Sequence, residues 1–125
     1  MFFLSCDRVE TRYKNYNAAN ENSYFEKGWI PNNLVYKSMT NIYVQNDLDI
    51  NTSFFVFNLS KSDLIDIKTK IYPTKNKYRT PQRIEVRKDW IEKINKSQIY
   101  YILREKDTVY LAFDEKNNQV FGWNH

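Results

Sequence analysis

The sequence is poor in cysteine, histidine, glycine and proline, and each shortage excludes a class of protein. The single cysteine, Cys6, cannot form a disulfide within the chain, and with the one histidine, His125, it cannot complete a zinc site of Cys and His ligands. Two glycines and three prolines leave little sequence for a flexible linker. No apolar run approaches the roughly 20 residues that a membrane-spanning helix needs. The sequence as written is therefore not a disulfide scaffold, a zinc module or an integral helical membrane protein.

Aromatic rings and an uneven charge are what the chain does contain. Its 125 residues fit one domain, and an aromatic share of 17% is typical of a folded protein, because disordered chains are poor in rings. Residues 1–67 hold 6 Lys or Arg and 8 Asp or Glu, whereas residues 68–125 hold 13 and 7. The basic second half is expected to attract acidic proteins, lipid headgroups or nucleic acid, and charge alone does not choose among them.

The first six residues are similar to the end of a bacterial lipoprotein signal peptide, in which a small residue precedes a cysteine that becomes lipidated. Here Ser5 precedes Cys6, but only three apolar residues follow Met1, whereas a signal peptide needs about 7 to 15. Either the true start lies upstream of Met1 and Cys6 is a lipid anchor, or the apolar residues pack against the domain and Cys6 is an ordinary thiol. The Asn-rich sequence that follows favours the first. We therefore interpret residues 1–12 as a lipobox-like start and tether, and residues 13–125 as one domain.

The spacing of apolar residues predicts an α+β fold. Helical spacing is found at residues 13–27, 36–44, 61–70 and 88–95, with Gly28 ending the first helix and Ser60 capping the third. The apolar run at 54–57 predicts a strand buried on both faces, and a short strand is expected at 84–86. Residues 98–104, 109–113 and 119–123 predict an antiparallel meander. The expected architecture is an antiparallel sheet of about four to five strands, packed by two to four helices.

An acidic turn precedes the strand at 54–57. Its Asp47 and Asp49 resemble the opening of a calcium loop, but Thr52 and Asn58 stand where such a loop needs a glycine and a bidentate glutamate. We therefore expect no metal site here, and a turn that is capped by its own side chains.

The most basic segment runs from residue 71 to residue 83. It interleaves cations with tyrosine between two prolines, a pattern that suits single-stranded nucleic acid, yet no nucleic-acid motif accompanies it. A solvated loop is the commoner outcome for such a segment. We expect a protein partner or an anionic membrane surface here rather than nucleic acid, and the candidate partner-binding residues are Lys75, Lys77, Tyr78, Arg79 and Arg83.

The middle of the chain resembles small bacterial lipoproteins of unknown function. These carry a G-W-[IL]-P element, then L-P-x-S-A-x-x-I and an Asp-x-Asp turn. The matching residues here are Gly28-Trp29-Ile30-Pro31, then Leu34, Ser38 and Ile42, then Asp47-Leu48-Asp49. Val35 departs from the family's proline and Met39 from its alanine, and the likeness covers only about residues 13–57. It implies a bacterial envelope protein with a lipid anchor at Cys6, and it brings no catalytic residues.

These observations favour binding over catalysis. An enzyme needs a tuned acid, base or nucleophile, and the sequence offers only an anchor cysteine, a terminal histidine and two turn aspartates. We expect no catalytic residue, cofactor or small-molecule substrate. The function hypothesis is an envelope lipoprotein-like binding module, placed at the bacterial cell envelope if the true start lies upstream of Met1 and in the cytoplasm otherwise. The alternative is a soluble inhibitor or immunity protein, encoded by a phage or plasmid, that blocks one protein partner.

Overall fold

A computed structural model describes residues 8–124, and seven strands of this range form one antiparallel sheet. The strand order across the sheet is β1-β2-β3-β7-β6-β5-β4. The strands are β1 (Arg8–Asn15), β2 (Thr40–Asp47), β3 (Thr52–Asn58), β4 (Tyr72–Thr74), β5 (Ile99–Leu103), β6 (Thr108–Asp114) and β7 (Gln119–Asn124). The α-helices are α1 (Tyr16–Glu21), α2 (Lys61–Lys68) and α3 (Lys88–Asn95), and short 3-10 turns occupy Tyr24–Lys27, Asn32–Leu34 and Glu115–Asn117.

The predicted α+β fold class is wrong, because the structure is mostly β and its few helices are short. The N-terminal helix predicted at 13–27 is strand up to Asn15, and residues 8–12, which the sequence placed in a tether, belong to β1. Residues 36–44, predicted as a helix, instead form the connection that precedes β2 and the first half of β2. Ile42 and Val44 of β2 face one core and Tyr43 faces the other, so β2 lacks the polar alternation that marks a half-buried strand.

The segment predicted as a strand at 84–86 lies outside the sheet. Gln45 takes the place of a neighbouring strand there: its Nε2 donates to the carbonyl of Glu85 at 2.7 Å, and its Oε1 accepts from the Glu85 N–H at 2.9 Å. The buried amide side chain thus satisfies backbone groups that a sheet would otherwise pair.

Several local predictions are confirmed. Helix α2 begins after Ser60, whose side chain accepts from the N–H of Asp63, and α3 spans the predicted residues. Strands β5, β6 and β7 pair as an antiparallel meander. The strand at 54–57 lies inside β3 near the middle of the sheet, and its side chains alternate between two cores.

Each face of the sheet carries its own core. On the first face α1 and α2 cover an aliphatic and phenylalanine core, whose largest fully buried members include Phe55, Phe57, Ile67 and Leu111. On the second face α3 and the segment before it cover an aromatic core. That second core contains Tyr43, Phe54, Trp90, Phe121 and Trp123. The candidate site lies on this second face.

The acidic turn joins β2 to β3 and is capped by its own side chain, as predicted. Asp47 Oδ1 accepts from the N–H of Asp49 at 3.0 Å and from that of Ile50 at 3.3 Å. Within residues 8–124, no three His, Cys, Asp or Glu side chains are grouped so as to hold a metal ion. No helix of the same range is long and apolar enough to cross a membrane.

Candidate functional site

A concave groove of about 580 Å³ lies over β6 and β7 on the second face of the sheet. We call it the basic groove. The segment that follows β4 forms its rim, and two aromatic side chains of the sheet line it from below. Its described lining residues are Lys75, Asn76, Lys77, Arg79, Tyr110 and Trp123.

Tyr78 fastens the rim of the basic groove to the sheet. Its ring stands edge-on to the buried ring of Trp123, with centroids 4.7 Å apart and an interplanar angle of 89°. The side chain is half-buried against the second core, and this burial raises the pKa of the Tyr78 phenol. Tyr78 therefore anchors the segment, and its neighbours Lys77 and Arg79 reach the groove.

A row of aromatic rings continues from the groove toward the β4 edge. Trp123 pairs across the strands with Tyr110, Tyr110 with Tyr101, and Tyr101 with Tyr72. Directly paired residues share one face of a sheet. The Tyr110 and Trp123 rings are stacked with centroids 6.1 Å apart, and those of Tyr72 and Tyr101 are 5.7 Å apart. Tyr72 is 60% exposed, so the row passes from buried to solvent-facing rings.

The three cations of the rim have no acidic partner among the described residues. Lys75, Lys77 and Arg79 are exposed, and none of them forms an ion pair within residues 8–124. Other cations are compensated: Lys93 lies 3.0 Å from Asp114, for example. The rim therefore has three positive charges available to a ligand.

Arg83, the fifth candidate from the sequence, does not line the groove. Its Nε lies 2.9 Å from Asp47 Oδ2 and its Nη1 lies 2.9 Å from Asp49 Oδ2. Asp47 is only 1% exposed, and Arg83 itself adopts a left-handed backbone with φ +66°. Arg83 thus ties the segment to the acidic turn and compensates a buried carboxylate.

Sequence reasoning found the rim but missed the aromatic floor. Lys75, Lys77, Tyr78 and Arg79 come together as expected for one segment, whereas Tyr110 and Trp123 are far away in sequence. Their paired positions in the predicted meander were the available signal, because cross-strand neighbours project from the same face. Cys6, the candidate anchor, and His125 lie outside the described residues.

A second concavity of about 510 Å³ lies on the same face, above β1 and β2. Its charges are largely compensated within the chain: Arg8 lies 3.1 Å from Glu85, and Tyr43 donates to Glu10 at 2.5 Å. Burial, assisted by the hydrogen bond to Glu10, raises the pKa of Tyr43 to about 12. This concavity has less free charge to offer than the basic groove.

Residues 7–58 match a family model described as the YbbD head domain. The match covers 52 of the 125 residues, which correspond to β1, β2, β3 and their connections. It suggests a non-catalytic domain of unknown function for this part of the chain. Neither a curated protein nor a solved structure matches the chain. The resemblance to small bacterial lipoproteins is not tested by this match and stays a prediction.

Proposed function

We propose that this protein is a binding module of the bacterial envelope, and that its basic groove holds an acidic segment of a protein partner. The observation that carries the proposal is the set of three uncompensated cations on the rim of a concave, aromatic-floored groove. Lys and Arg attract carboxylates at long range, and Tyr and Trp supply contact area at low entropic cost.

The shape of the groove supports a peptide segment as the ligand. A lipid surface is broad and meets a protein best on a flat or convex basic patch, whereas this rim encloses a cleft of about 580 Å³. The exposed ring of Tyr72 extends the floor toward the β4 edge, so an extended chain has a continuous track of rings beneath it. Acidic side chains of such a segment would meet Lys75, Lys77 and Arg79.

Binding rather than catalysis is part of the proposal. The described lining residues include no carboxylate, histidine or cysteine that could act as a general base or a strong nucleophile. The groove does offer positive charge and aromatic surface, which are the features of a recognition site.

Lipid anchoring at Cys6 completes the proposal. Only Asp7 separates Cys6 from Arg8, the first residue of β1, so an anchor there would hold the β1 side of the sheet near the membrane. The test is incorporation of a labelled fatty acid into the protein expressed from its native gene with the upstream codons, and its loss in Cys6→Ser. Absence of label in the native protein would contradict the anchor.

The groove is tested by titrating a fluorescent Glu-rich peptide onto the parent and onto a Lys75→Ala/Lys77→Ala/Arg79→Ala variant. We expect the triple variant to bind at least about tenfold more weakly, since each lost contact to a charged group is worth about 1 kcal/mol or more. A matched control, Lys88→Ala/Lys96→Ala/Lys116→Ala, removes three exposed charges elsewhere and should keep most of the affinity.

Three outcomes would contradict the proposal, the first of them in the peptide titration itself. Equal losses in the two triple variants would mean that net charge, and not the groove, attracts the peptide. Preferential binding of single-stranded DNA, or of vesicles with anionic lipid, through the same three residues would replace the acidic protein segment by that ligand. Recovery of one stoichiometric protein partner with no fatty acid on Cys6 would support the soluble inhibitor or immunity protein instead.

A further inference from the structure

The second face of the sheet is left uncovered at its β4 corner. Helix α3 and the segment before it bury Ile99 of β5 in the second core. The next side chains of β5 on the same face are Tyr101 and Leu103, because Ile102 between them points into the first core. Tyr72 of β4 pairs with Tyr101 and therefore shares this face. We call Tyr72, Tyr101 and Leu103 the apolar corner, and none of the three belongs to either core.

The apolar corner is a continuous exposed surface. Tyr72 is 60% exposed and Leu103 is 69% exposed, whereas Tyr101 is half-buried. The rings of Tyr72 and Tyr101 have centroids 5.7 Å apart. Leu103 follows Tyr101 on the same face of the strand, at a Cα separation of about 6.6 Å. Single exposed apolar side chains are common on protein surfaces, but a group of adjoining ones marks an interaction site.

The apolar corner continues the basic groove. Tyr110 lines the groove and also pairs with Tyr101 of the corner. The rim of the groove leaves β4 after Thr74 and reaches Trp123 of β7 through the ring of Tyr78. The rim thus crosses the sheet in the same direction as the row of rings. A ligand that lies along the rim therefore passes from the groove onto the apolar corner.

Charge and apolar surface are separated along this path. The positive charges of Lys75, Lys77 and Arg79 all lie on the rim of the groove. The apolar corner consists of two tyrosines and a leucine and adds no charge. A ligand that fills both parts therefore needs acidic residues next to an apolar residue, and a purely acidic ligand leaves the corner exposed to water.

We propose that the acidic segment held by the basic groove carries a large apolar residue at one end, and that this residue docks on the apolar corner. The inference rests on the proposed function, because it extends the same ligand beyond the groove. Tyr72 lies two strands away from Tyr110, or about 10 Å. An extended chain rises about 3.3 Å per residue, so about three residues separate the apolar residue from the acidic residue above Tyr110. The partner is thus recognised by carboxylates beside an aromatic or aliphatic side chain, and not by charge alone.

Isothermal titration calorimetry with three unlabelled peptides tests the apolar residue. The first peptide is Glu-rich, and the other two add a phenylalanine at its N-terminal or its C-terminal end. Unlabelled peptides are needed because an aromatic fluorophore would itself fit the apolar corner. At least one phenylalanine peptide should bind the parent about tenfold more tightly than the Glu-rich peptide, since burial of such a side chain contributes at least that factor in affinity. Its heat-capacity change on binding should also be more negative.

Two double variants then locate the docking site. Tyr72→Ser/Leu103→Ser removes the apolar corner, and Leu48→Ser/Ile65→Ser is the matched control. Leu48 is 56% exposed and Ile65 is 60% exposed, and neither lines the groove. The corner variant should bind the phenylalanine peptide no more tightly than the Glu-rich peptide. Its unchanged affinity for the Glu-rich peptide would show that it is folded. The control variant should keep the full tenfold difference.

Failure of this inference and failure of the proposed function give different results. If the Glu-rich peptide binds the parent and phenylalanine adds nothing, the apolar residue is overturned and the groove proposal stands. If none of the three peptides binds, both are overturned. A gain from phenylalanine that persists in the corner variant overturns the assigned docking site. If phenylalanine adds nothing, and the corner variant instead loses self-association or binding to vesicles of anionic lipid, a second copy or a lipid surface occupies the corner and the inference is overturned.

Discussion

Gly122→Ala adds one methyl group at the centre of the sheet, where β7 passes beneath the ring of Phe55. Gly122 pairs with Phe55 of β3 on one side and with Leu111 of β6 on the other. A Cβ at this position would lie 2.1 Å from Phe55 Cζ and 2.3 Å from Cε1. Ordinary contacts begin at 3.4 Å, so the ring would have to move by more than an ångström.

The ring has little freedom to move. Phe55 is 1% exposed and stacks on Phe57, with centroids 5.9 Å apart and an interplanar angle of 9°. Overpacking of this kind costs about 1–3 kcal/mol. Replacing glycine in a strand also gains about 0.5–1 kcal/mol from lower chain entropy. The 2.1 Å approach places the steric cost in the upper half of its range, and we expect a net loss of about 1–2 kcal/mol, or roughly 4–8 °C in Tm.

Urea unfolding monitored by tryptophan fluorescence measures this loss, and Phe55→Leu supplies the decisive background. With the ring removed, the added methyl group should cost less than about 0.5 kcal/mol, which gives a coupling energy of more than 1 kcal/mol between the two sites. Gly28→Ala is the control. It has open space but φ +78°, so its cost comes from backbone strain and should not change with Phe55. An unchanged stability in Gly122→Ala, or the same loss in the Phe55→Leu background, would refute the steric argument.

The remaining predictions concern two ion pairs. Asp107 accepts from Arg104 Nε and Nη2 at 2.7 Å each and from Asn124 at 2.9 Å, and the bonds from Arg104 hold its pKa below the usual range. A carboxylate whose pKa is lowered in the folded state stabilises the fold above about pH 4, and this stabilisation is lost as the pH falls further. Asp107→Asn should therefore lower the free energy of unfolding by about 1–3 kcal/mol at pH 7, measured by urea unfolding, and by progressively less toward pH 3. An equal loss at both pH values would contradict this. Arg83→Ala leaves the carboxylate of Asp47 buried without its ion pair and should lower the free energy of unfolding by about 2 kcal/mol. The double variant Arg83→Ala/Asp47→Asn should recover much of this stability. Because Arg83 lies outside the basic groove, Arg83→Ala should not change peptide binding, and a large loss of binding would mean that Arg83 belongs to the site.

The sequence predicted those elements whose signals are local. Ser60 caps α2 through the N–H of Asp63, and Trp90 and Ile94 mark one face of α3, so both helices were found. The meander was found because turn residues separate three short apolar runs. Strands β1 and β2 were missed because each is set by its neighbours across the sheet. Tyr13 and Tyr16 have helical spacing, yet Tyr13 pairs with Ile42 of β2.

The same distinction applies to the candidate site. Lys75, Lys77 and Arg79 stand close together in the sequence, so their common location followed from composition alone. The aromatic floor of the groove can be predicted only when the strand register is known, because the register places Trp123 of β7 opposite Tyr110 of β6 and beneath Tyr78. Arg83 was assigned to the site by proximity in the sequence, but its long side chain reaches the acidic turn.

The boundary of the family match lies between β3 and the residues that form the basic groove. The matched residues 7–58 contain β1, β2 and β3, which are adjacent in the sheet, and they end before the basic segment begins. The β1 edge therefore lies within the part of the chain that is similar to the YbbD head domain, whereas the groove is built from β6, β7 and the segment after β4. The likeness to that domain therefore does not extend to the residues that form the groove, and the ligand of the groove has to be measured on this chain itself.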